Sequence, residues 1–566
     1  MSRKARPLFY LLFLGFLLVS CASRKPMEKI IPRNAALYLH IENPEAFINN
    51  TEAFLVSAGL GAFLDSRTLG EIIDGAAALT QAGIIPDYRR PAGFALVPGP
   101  AASGEDSSPM ENYDFILCLP LTPESGEGLK NQGLPVPDTH YRILDNYLIW
   151  SGSGELIKNR PAAGRLDFDR IGAYPSDGIT FYANFPALLS GLSINWEDLT
   201  GELDESYGSE LAPVWEGYRR ILASFQEQWS TLRVDGETLS GLSEIRLTGE
   251  LGELSASISP VSDLGAGAPY LWTEANVLQV LVNLSPEDQV NISETLSRLL
   301  SAGAFFKDKD NWDKLEELQN RISETLGARG AAGFNLSLAP ETEGSPSPLD
   351  RLSRLSAEFL AIHEVRDPAL LARLLDEYQG SLSLAQGLFD GANLAPGFHF
   401  SLEGEKFSLP DGAPGWAYEY RWQLESQGAL AEAFEEAPQL EEFYRNFFQI
   451  SYFLAVKNGL QFSYLYYNVP DARNRFYELI NQFPRTQAVP SWVSEVPGTA
   501  HGAFSLRPGA LILPFVSDSP FTDPLPPEPG SLTLFFQGGA PFRTGFNLSS
   551  REVAYFVQLA MLFASR

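Results

Sequence analysis

The residue types that carry most enzyme chemistry are scattered along this chain, and their spacing matches no familiar catalytic motif. The five histidines are His40, His140, His363, His399 and His501. No two of them lie four residues apart, so the HExxH helix of zinc proteases does not occur. Neither a Gly-x-Ser-x-Gly turn nor a glycine-rich phosphate loop is found. Isolated histidines on strands are more often core or surface residues than ligands, so we expect no metal, no cofactor and no catalytic site.

Acidic residues are too numerous here to indicate a site by themselves, because the chain has 70 aspartates and glutamates. The run from Asp308 to Asp313 resembles the start of a calcium-binding loop. Trp312 occupies a ligand position, however, and no glycine follows for the sharp turn. We interpret the run as the charged beginning of a helix. A hydrolase whose site is assembled from distant residues remains an alternative function.

The N-terminus carries the pattern of an export signal. Arg3, Lys4 and Arg6 form a positive segment, and residues 7–19 are almost wholly apolar. This apolar run is shorter than the roughly 20 residues that a helix needs to span a bilayer, but it has the length of a signal-peptide core. We therefore predict that residues 1–20 are a signal peptide and that 21–35 form a lipidated tether.

The end of this segment, Leu18-Val19-Ser20-Cys21, resembles the lipobox of bacterial lipoproteins. The resemblance implies that the sulfur of Cys21 is lipidated and that the chain is cut before it. Several acyl chains would anchor the protein stably to a membrane. Because Ala22 rather than aspartate follows, the resemblance favours the outer membrane or the cell surface over the inner membrane. An ordinary signal peptide cut near Ala22 and an N-terminal transmembrane helix remain alternatives.

Charge and composition limit the partners and the fold. The formal net charge of −29 repels phosphate backbones and anionic headgroups, so nucleic acid is not an expected partner. A hydrophobic content of 45% with 12% aromatic residues indicates a folded chain. Cys118 is the one cysteine besides Cys21, and its apolar neighbours predict a buried, unreactive thiol.

One phrase recurs along the chain: a short apolar strand, a polar step, proline or serine, and then a helical pattern. Proline suits the first turn of a helix, where its missing N–H costs nothing, and a neighbouring Asn, Ser or Asp can cap the exposed N–H groups. Hairpins are predicted at Asp145-Asn146 and Asn458-Gly459. The phrase is clearest at 36–47, 179–189, 277–289, 359–375, 462–479 and 545–557, and weaker at 115–127 and 253–264.

The spacing of these copies predicts an α+β fold of about four tandem units. Each would be an antiparallel sheet with helices on one side and a loosely ferredoxin-like connectivity. The predicted units are 36–170, 171–268, 269–430 and 431–566. The pattern is similar to that of bacterial envelope proteins built from tandem strand–Pro–helix repeats. That resemblance covers most of the mature chain and implies an architecture but no activity.

Aromatic residues are concentrated between positions 443 and 483, well above the 12% of the whole chain. We interpret them mainly as sheet and helix core. The alternative is a ligand face for an apolar molecule, a sugar or a peptide, formed by Phe447, Tyr452, Phe462, Tyr464 and Tyr466. Strand alternation predicts that Tyr464 and Tyr466 share one face of the sheet.

These observations together predict a lipid-anchored, non-catalytic protein of the cell envelope with a structural or binding role. We expect the N-terminal lipid to attach the protein to a membrane. A carrier or sensor of an apolar ligand is the first alternative, and a hydrolase with a dispersed site is the second.

Overall fold

The computed structural model describes residues 30–58, 84–99, 112–133, 140–154, 156, 166, 178–191, 212–261, 263–299, 309–338, 355–391, 398–424, 449–484, 489–510 and 531–555. The chain divides into two compact units. The first comprises 1–53, 61–194 and 226–236, and the second comprises 54–60, 195–225 and 237–566. The described residues form an α+β fold in which the strand pairings within each unit are antiparallel.

The described residues of the first unit form a seven-stranded antiparallel sheet with the strand order β4-β5-β3-β2-β1-β6-β7. Its elements are β1 (Leu37–Ile41), α1 (Pro44–Ser57), β2 (Ala92–Pro98), β3 (Tyr113–Pro120), α2 (Pro123–Gln132), β4 (Tyr141–Leu144), β5 (Tyr147–Ser151), β6 (Gly178–Asn184), α3 (Phe185–Gly191) and β7 (Phe225–Val234).

A hairpin turn and a helix start in the first unit have the geometry that the sequence predicts. Asp145 and Asn146 both adopt positive φ, which is the geometry of the tight hairpin turn between β4 and β5. At the start of α2, Thr122 accepts a hydrogen bond from the Ser125 N–H, and Pro123 occupies the first turn. Cys118 is fully buried, and burial raises the pKa of its thiol to about 12. The prediction that this thiol is buried is confirmed.

Within the part of the second unit that the structure describes, eleven strands form an antiparallel sheet with the order β8-β18-β17-β16-β9-β10-β11-β15-β14-β13-β12. Its helices are α4 (Ala212–Ser224), α5 (Gly249–Ser257), a 3₁₀ helix (Leu264–Tyr270), α6 (Pro286–Leu299), α7 (Lys309–Glu324), α8 (Pro368–Gly380), α9 (Leu382–Gly391), α10 (Ala472–Ile480) and α11 (Ser491–Ser494). Its strands are β8 (Thr238–Leu247), β9 (Leu278–Asn283), β10 (Leu326–Leu338), β11 (Leu355–Val365), β12 (Phe398–Ser408), β13 (Pro414–Leu424), β14 (Gln449–Lys457), β15 (Leu460–Tyr467), β16 (Gly502–Leu506), β17 (Leu532–Gln537) and β18 (Phe542–Ser549).

The predicted step from a short strand into a helix recurs along the chain as part of a longer order of elements. Strand, helix, strand, strand and helix follow one another in β1–α1–β2–β3–α2, in β6–α3–α4–β7–β8–α5 and in β9–α6–α7–β10–β11–α8. In all three, the strand before the helix pairs antiparallel with the strand after it. The sequence after β15 departs from this pattern, because β16 pairs with β9 and β17 and not with β15 among the described pairings.

Helices cover both faces of the sheet around β13, β14 and β15, which differs from the prediction of helices on one side. Phe453 packs into a cluster with Phe476 and Leu479 of α10. Its neighbour Leu454 packs into a second cluster with Leu371 and Leu375 of α8. Consecutive strand residues point to opposite faces, so these clusters lie on opposite sides of the sheet. The physical reason is that β14 carries large apolar side chains at consecutive positions, and both faces must be buried.

Candidate functional site

The predicted aromatic ligand face is only partly assembled in the structure. Tyr464 and Tyr466 do share one face of β15, with ring centroids 5.6 Å apart and nearly parallel planes. Phe462 lies on the same face, and both it and Tyr464 are fully buried. Tyr452 lies on the opposite face, where its ring is 6.0 Å from that of Tyr418. Phe447 and the lipidation residue Cys21 are outside the described residues.

Tyr464 belongs to the core and not to an open surface. Its hydroxyl donates to Glu358 Oε1 at 2.6 Å, and Arg475 Nε donates to the same oxygen at 3.0 Å. Burial is the main cause that raises the pKa of Tyr464. The ring also stacks on Phe476 of α10 at 5.6 Å. Tyr464 therefore holds α10 on the sheet and is not available to a ligand.

Tyr466 lies at the boundary between the buried core and a groove on the same face of the sheet. The groove encloses about 660 Å³ and crosses β12, β13, β14 and β15 beside the beginning of α10. We call it the β12–β15 groove. Its wall includes three glutamates and several aromatic and polar side chains, chiefly Glu403, Glu405, Glu419, Ser451, Phe453, Tyr466, Tyr467, Asn468 and Arg473.

Strand register aligns four of these residues in one row. Glu403 pairs with Glu419, Glu419 with Ser451, and Ser451 with Tyr466. Directly paired residues of an antiparallel sheet place their side chains on the same face with Cβ atoms about 5 Å apart. Two carboxylates, a hydroxyl and a phenol ring therefore follow one another across four strands. We call this set the Glu403–Tyr466 row.

Two arginines neutralise part of the acidic wall. Arg421 Nη2 is 3.0 Å from Glu419 Oε2, and this pairing raises the pKa of Arg421. Arg473 forms an ion pair with Glu405. The Arg473 guanidinium also lies over the ring of Phe407, 4.6 Å from its centroid. This end of the groove thus already combines a carboxylate, an aromatic face and a cation.

The phenol of Tyr466 is a neutral group at ordinary pH. Burial raises its pKa, and a hydrogen bond with Ser451 opposes that shift. A neutral phenol can donate or accept a hydrogen bond and presents its ring face to a ligand. The arrangement in the β12–β15 groove can therefore bind polar and charged groups.

Sequence reasoning did not identify the three glutamates of the groove. The signal is present, because Glu403 and Glu405 alternate along β12 and Glu419 and Arg421 alternate along β13. Alternating charges predict one polar face on each strand. The pairing of β12 with β13 decides which polar faces become neighbours and where the groove forms. The sequence does not specify that pairing.

Two of the histidines are buried and take part in structural hydrogen bonds. His40 Nδ1 is 2.9 Å from the Tyr38 hydroxyl, and its Nε2 is 2.9 Å from Glu42 Oε2. Tyr38 and His40 are both buried, so the hydrogen bond between them lies within the core. His501 accepts from the Gly538 N–H and so donates through Nε2 to the Ser259 carbonyl, 2.8 Å away. His40 and His501 are therefore core residues, one of the two placements that the sequence analysis expects for isolated histidines.

The described residues contain neither a metal-binding cluster nor a helix that could span a membrane. No group of three or more histidine, cysteine, aspartate or glutamate side chains within them could hold a metal ion. In that same part of the chain, every helix is either too short or too polar to cross a membrane.

One carboxylate of the second unit titrates far from its usual range. Glu552 is fully buried, and burial raises its pKa to about 7, although the Gly509 N–H donates to its Oε1 at 2.6 Å. Glu552 contributes its full stability to the fold at pH values below the unfolded pKa near 4.5. This contribution is lost as the pH rises through about 7, because the buried carboxyl group then ionises.

We therefore expect Glu552→Gln to change the pH dependence of stability. Relative to the wild type, the variant should gain roughly 3 kcal/mol in free energy of unfolding between pH 4.5 and pH 8, because glutamine cannot ionise. Urea unfolding of both proteins at several pH values measures this difference. A constant difference across that range would show that Glu552 titrates normally.

Comparison with known proteins gives little. No protein-family model and no curated protein matches the sequence. Among solved structures, the chain is similar to TP0453 in crystal form III, with 9% identity, a TM-score of 0.21 and coverage of 53% of this chain and 98% of that one. For crystal form IV the values are 11%, 0.22, 54% and 99%. Similarity at this level supports no inference about function.

Proposed function

We propose that this chain is a lipid-anchored, non-catalytic protein of the cell envelope that binds a soluble polar ligand in the β12–β15 groove. The observation that carries the binding role is the groove itself. Its volume of about 660 Å³ lies within the roughly 300–1,000 Å³ of small-molecule sites, and convergent polar groups line it.

A polar ligand fits the groove better than an apolar one. An apolar carrier would need Phe462 and Tyr464 on a cavity wall, but both are fully buried in packed core. Among the described residues of the predicted ligand face, Tyr466 alone lines the groove, where three glutamates and Arg473 accompany it. Charged walls disfavour burying a hydrocarbon chain, because the carboxylates would lose their hydration.

The proposed location rests on the N-terminal sequence. The lipobox-like segment ending at Cys21 supports anchoring by lipid, with the outer membrane or the cell surface favoured. The net charge of −29 argues against nucleic acid as a partner. We further propose that the fold arose from about four related, loosely ferredoxin-like units, a proposal that three recurring strand–helix–strand–strand–helix segments support.

Ligand-observed NMR tests the binding role. The purified full chain in detergent would be exposed to a mixture of sugars, amino acids, amines and fatty acids, and saturation transfer would be measured for each class. We expect at least one soluble polar class to give signals that fall by more than half in Glu403→Trp, which fills the groove. The matched control Glu317→Trp on the exposed side of α7 should leave them unchanged. Signals from fatty acids alone, or signals that both variants retain, would contradict the proposal.

A further inference from the structure

We propose that the outer edge of β12 binds an extended peptide as an additional strand of the sheet, with a basic side chain of the peptide reaching Glu403. This inference rests on the proposed binding function of the β12–β15 groove, and it names the ligand as a peptide. The groups that would bind it are the backbone of Gly404 and Lys406 and the carboxylate of Glu403.

β12 is the edge strand of the sheet in the described part of the second unit. Its 11 residues pair with β13 on one side, and no described strand pairs with its other side. Residues 403–406 of this edge are exposed. An exposed strand edge offers unpaired N–H and C=O groups to which the backbone of another chain can bind.

One hydrogen bond shows which backbone groups of β12 face outward. The Leu402 N–H donates to Gln386 Oε1 of α9 at 3.2 Å, so it points away from β13. Successive residues of an antiparallel strand direct their N–H and C=O groups to alternate sides. Gly404 and Lys406 therefore direct theirs outward, and their backbone groups have no hydrogen-bond partner there among the described residues.

The groove beside this edge has room for alternate side chains of a bound peptide. Glu403 and Glu405 face the groove, so peptide residues opposite them lie on the same face of the sheet. Glu405 already pairs with Arg473. Arg421 attracts Glu403 from a distance but forms its ion pair with Glu419. Glu403 is thus the carboxylate that a lysine or arginine of the peptide would pair with.

A second copy of this chain fits the edge less well than a peptide of another sequence. Antiparallel pairing of two β12 strands about Gly404 would place each Glu403 opposite the Glu405 of the other copy. Like charges in directly opposed positions destabilise a sheet. A peptide is free of this constraint, because its main-chain groups provide affinity and its alternate side chains provide specificity.

Fluorescence polarisation of the full chain in detergent with a labelled peptide, Thr-Val-Thr-Lys-Thr-Val-Thr, tests the inference. With the lysine opposite Glu403, the preceding threonine lies opposite Gly404 and directs its N–H toward β12. N-methylation of that threonine should therefore weaken binding at least about tenfold, because it removes the donor and blocks the approach of the strand. The matched control is N-methylation of the lysine, whose N–H faces away from β12. It should bind within about twofold of the unmodified peptide.

Two variants of Lys406 test the protein side of the same pairing. Lys406→Pro removes an outward N–H but leaves the pairing with β13 intact, since proline is tolerated where the N–H of an edge strand faces solvent. It should lose about three- to tenfold in affinity. Lys406→Ala removes the same side chain but keeps the N–H, and should bind within about twofold of the wild type. Thermal unfolding establishes that both variants are folded.

Variants of Glu403 test the charge separately. Glu403→Gln should weaken binding of the lysine peptide about two- to fivefold, the range for an exposed ion pair. It should leave unchanged the binding of a peptide with glutamine in place of the lysine. The control Glu317→Gln on α7 makes the same change in net charge away from the groove and should have no effect on either peptide.

The outcomes separate this inference from the proposed function. Equal effects of the two N-methyl groups would overturn the inference, as would no peptide binding. A dimer that forms without peptide and that Lys406→Pro dissociates would also overturn it, because the edge would then bind a second copy. If maltotriose binds and Glu403→Trp abolishes its binding, the binding function stands without the peptide. The binding function itself fails only if no soluble polar class depends on the groove.

Discussion

Phe476→Ala is expected to lower the free energy of unfolding of the second unit by about 3–5 kcal/mol, the range for truncating a buried aromatic side chain. Phe476 is fully buried, and its ring lies 5.6 Å from those of Phe453 and Tyr464. Removing it leaves a cavity beneath α10. The same helix carries Arg473, so the wall of the β12–β15 groove should be affected as well.

Urea unfolding followed by tryptophan fluorescence measures this effect, because Trp272, Trp416 and Trp492 are buried in the second unit. Phe476→Leu keeps most of the volume and should cost less than about 1.5 kcal/mol. Val489→Ala, at a side chain 54% exposed, should change stability by no more than about 0.5 kcal/mol. A loss below about 1 kcal/mol for Phe476→Ala would mean that α10 does not pack on the sheet as described.

Cys21→Ser is expected to abolish membrane retention almost completely, because the hydroxyl cannot take the place of the lipidated sulfur. Stable anchoring by lipid requires more than one acyl chain, and the resemblance to lipoproteins places all of them on this residue. Fractionation of cells, followed by mass spectrometry of the intact chain, measures both location and acylation.

The matched control for this experiment is Cys118→Ala. Cys118 is the one other cysteine and is fully buried in the first unit, so its loss should leave acylation and fractionation unchanged. A processed, acylated and membrane-bound Cys21→Ser protein would show that the lipobox interpretation is wrong.

Local features of the fold were predictable from the sequence, because short-range physics determines them. The hairpin turns at Asp145-Asn146 and Asn458-Gly459 follow from residues that tolerate positive φ. The start of α8 follows from Asp367, which accepts from the Leu370 N–H, and from Pro368. The alternation that puts Tyr464 and Tyr466 on one face is equally local.

Features that depend on pairing between distant segments were not predictable. The sequence analysis predicts Tyr452 as a member of the ligand face, but the pairing of β14 with β15 places it on the opposite side from Tyr466. The carboxylates of Glu403 and Glu419 become neighbours only when β12 and β13 align. A shift of one residue in that register would send one of them to the other face.

The strand order of the second unit also has a consequence for how this protein folds. β9 lies between β10 and β16, and β8 pairs with β18, so strands from the middle of the chain are completed only by strands near its end. Such pairings have high contact order, because the paired strands lie far apart in the sequence. The long loops between them must close, at a cost in chain entropy, before the strand pairing can stabilise the chain. Before β16 and β18 have formed, two strand edges expose unpaired N–H and C=O groups. They are the edge of β9 that later pairs with β16 and the edge of β8 that later pairs with β18. Unpaired strand edges promote association between chains, so incomplete copies of this unit should be prone to aggregate.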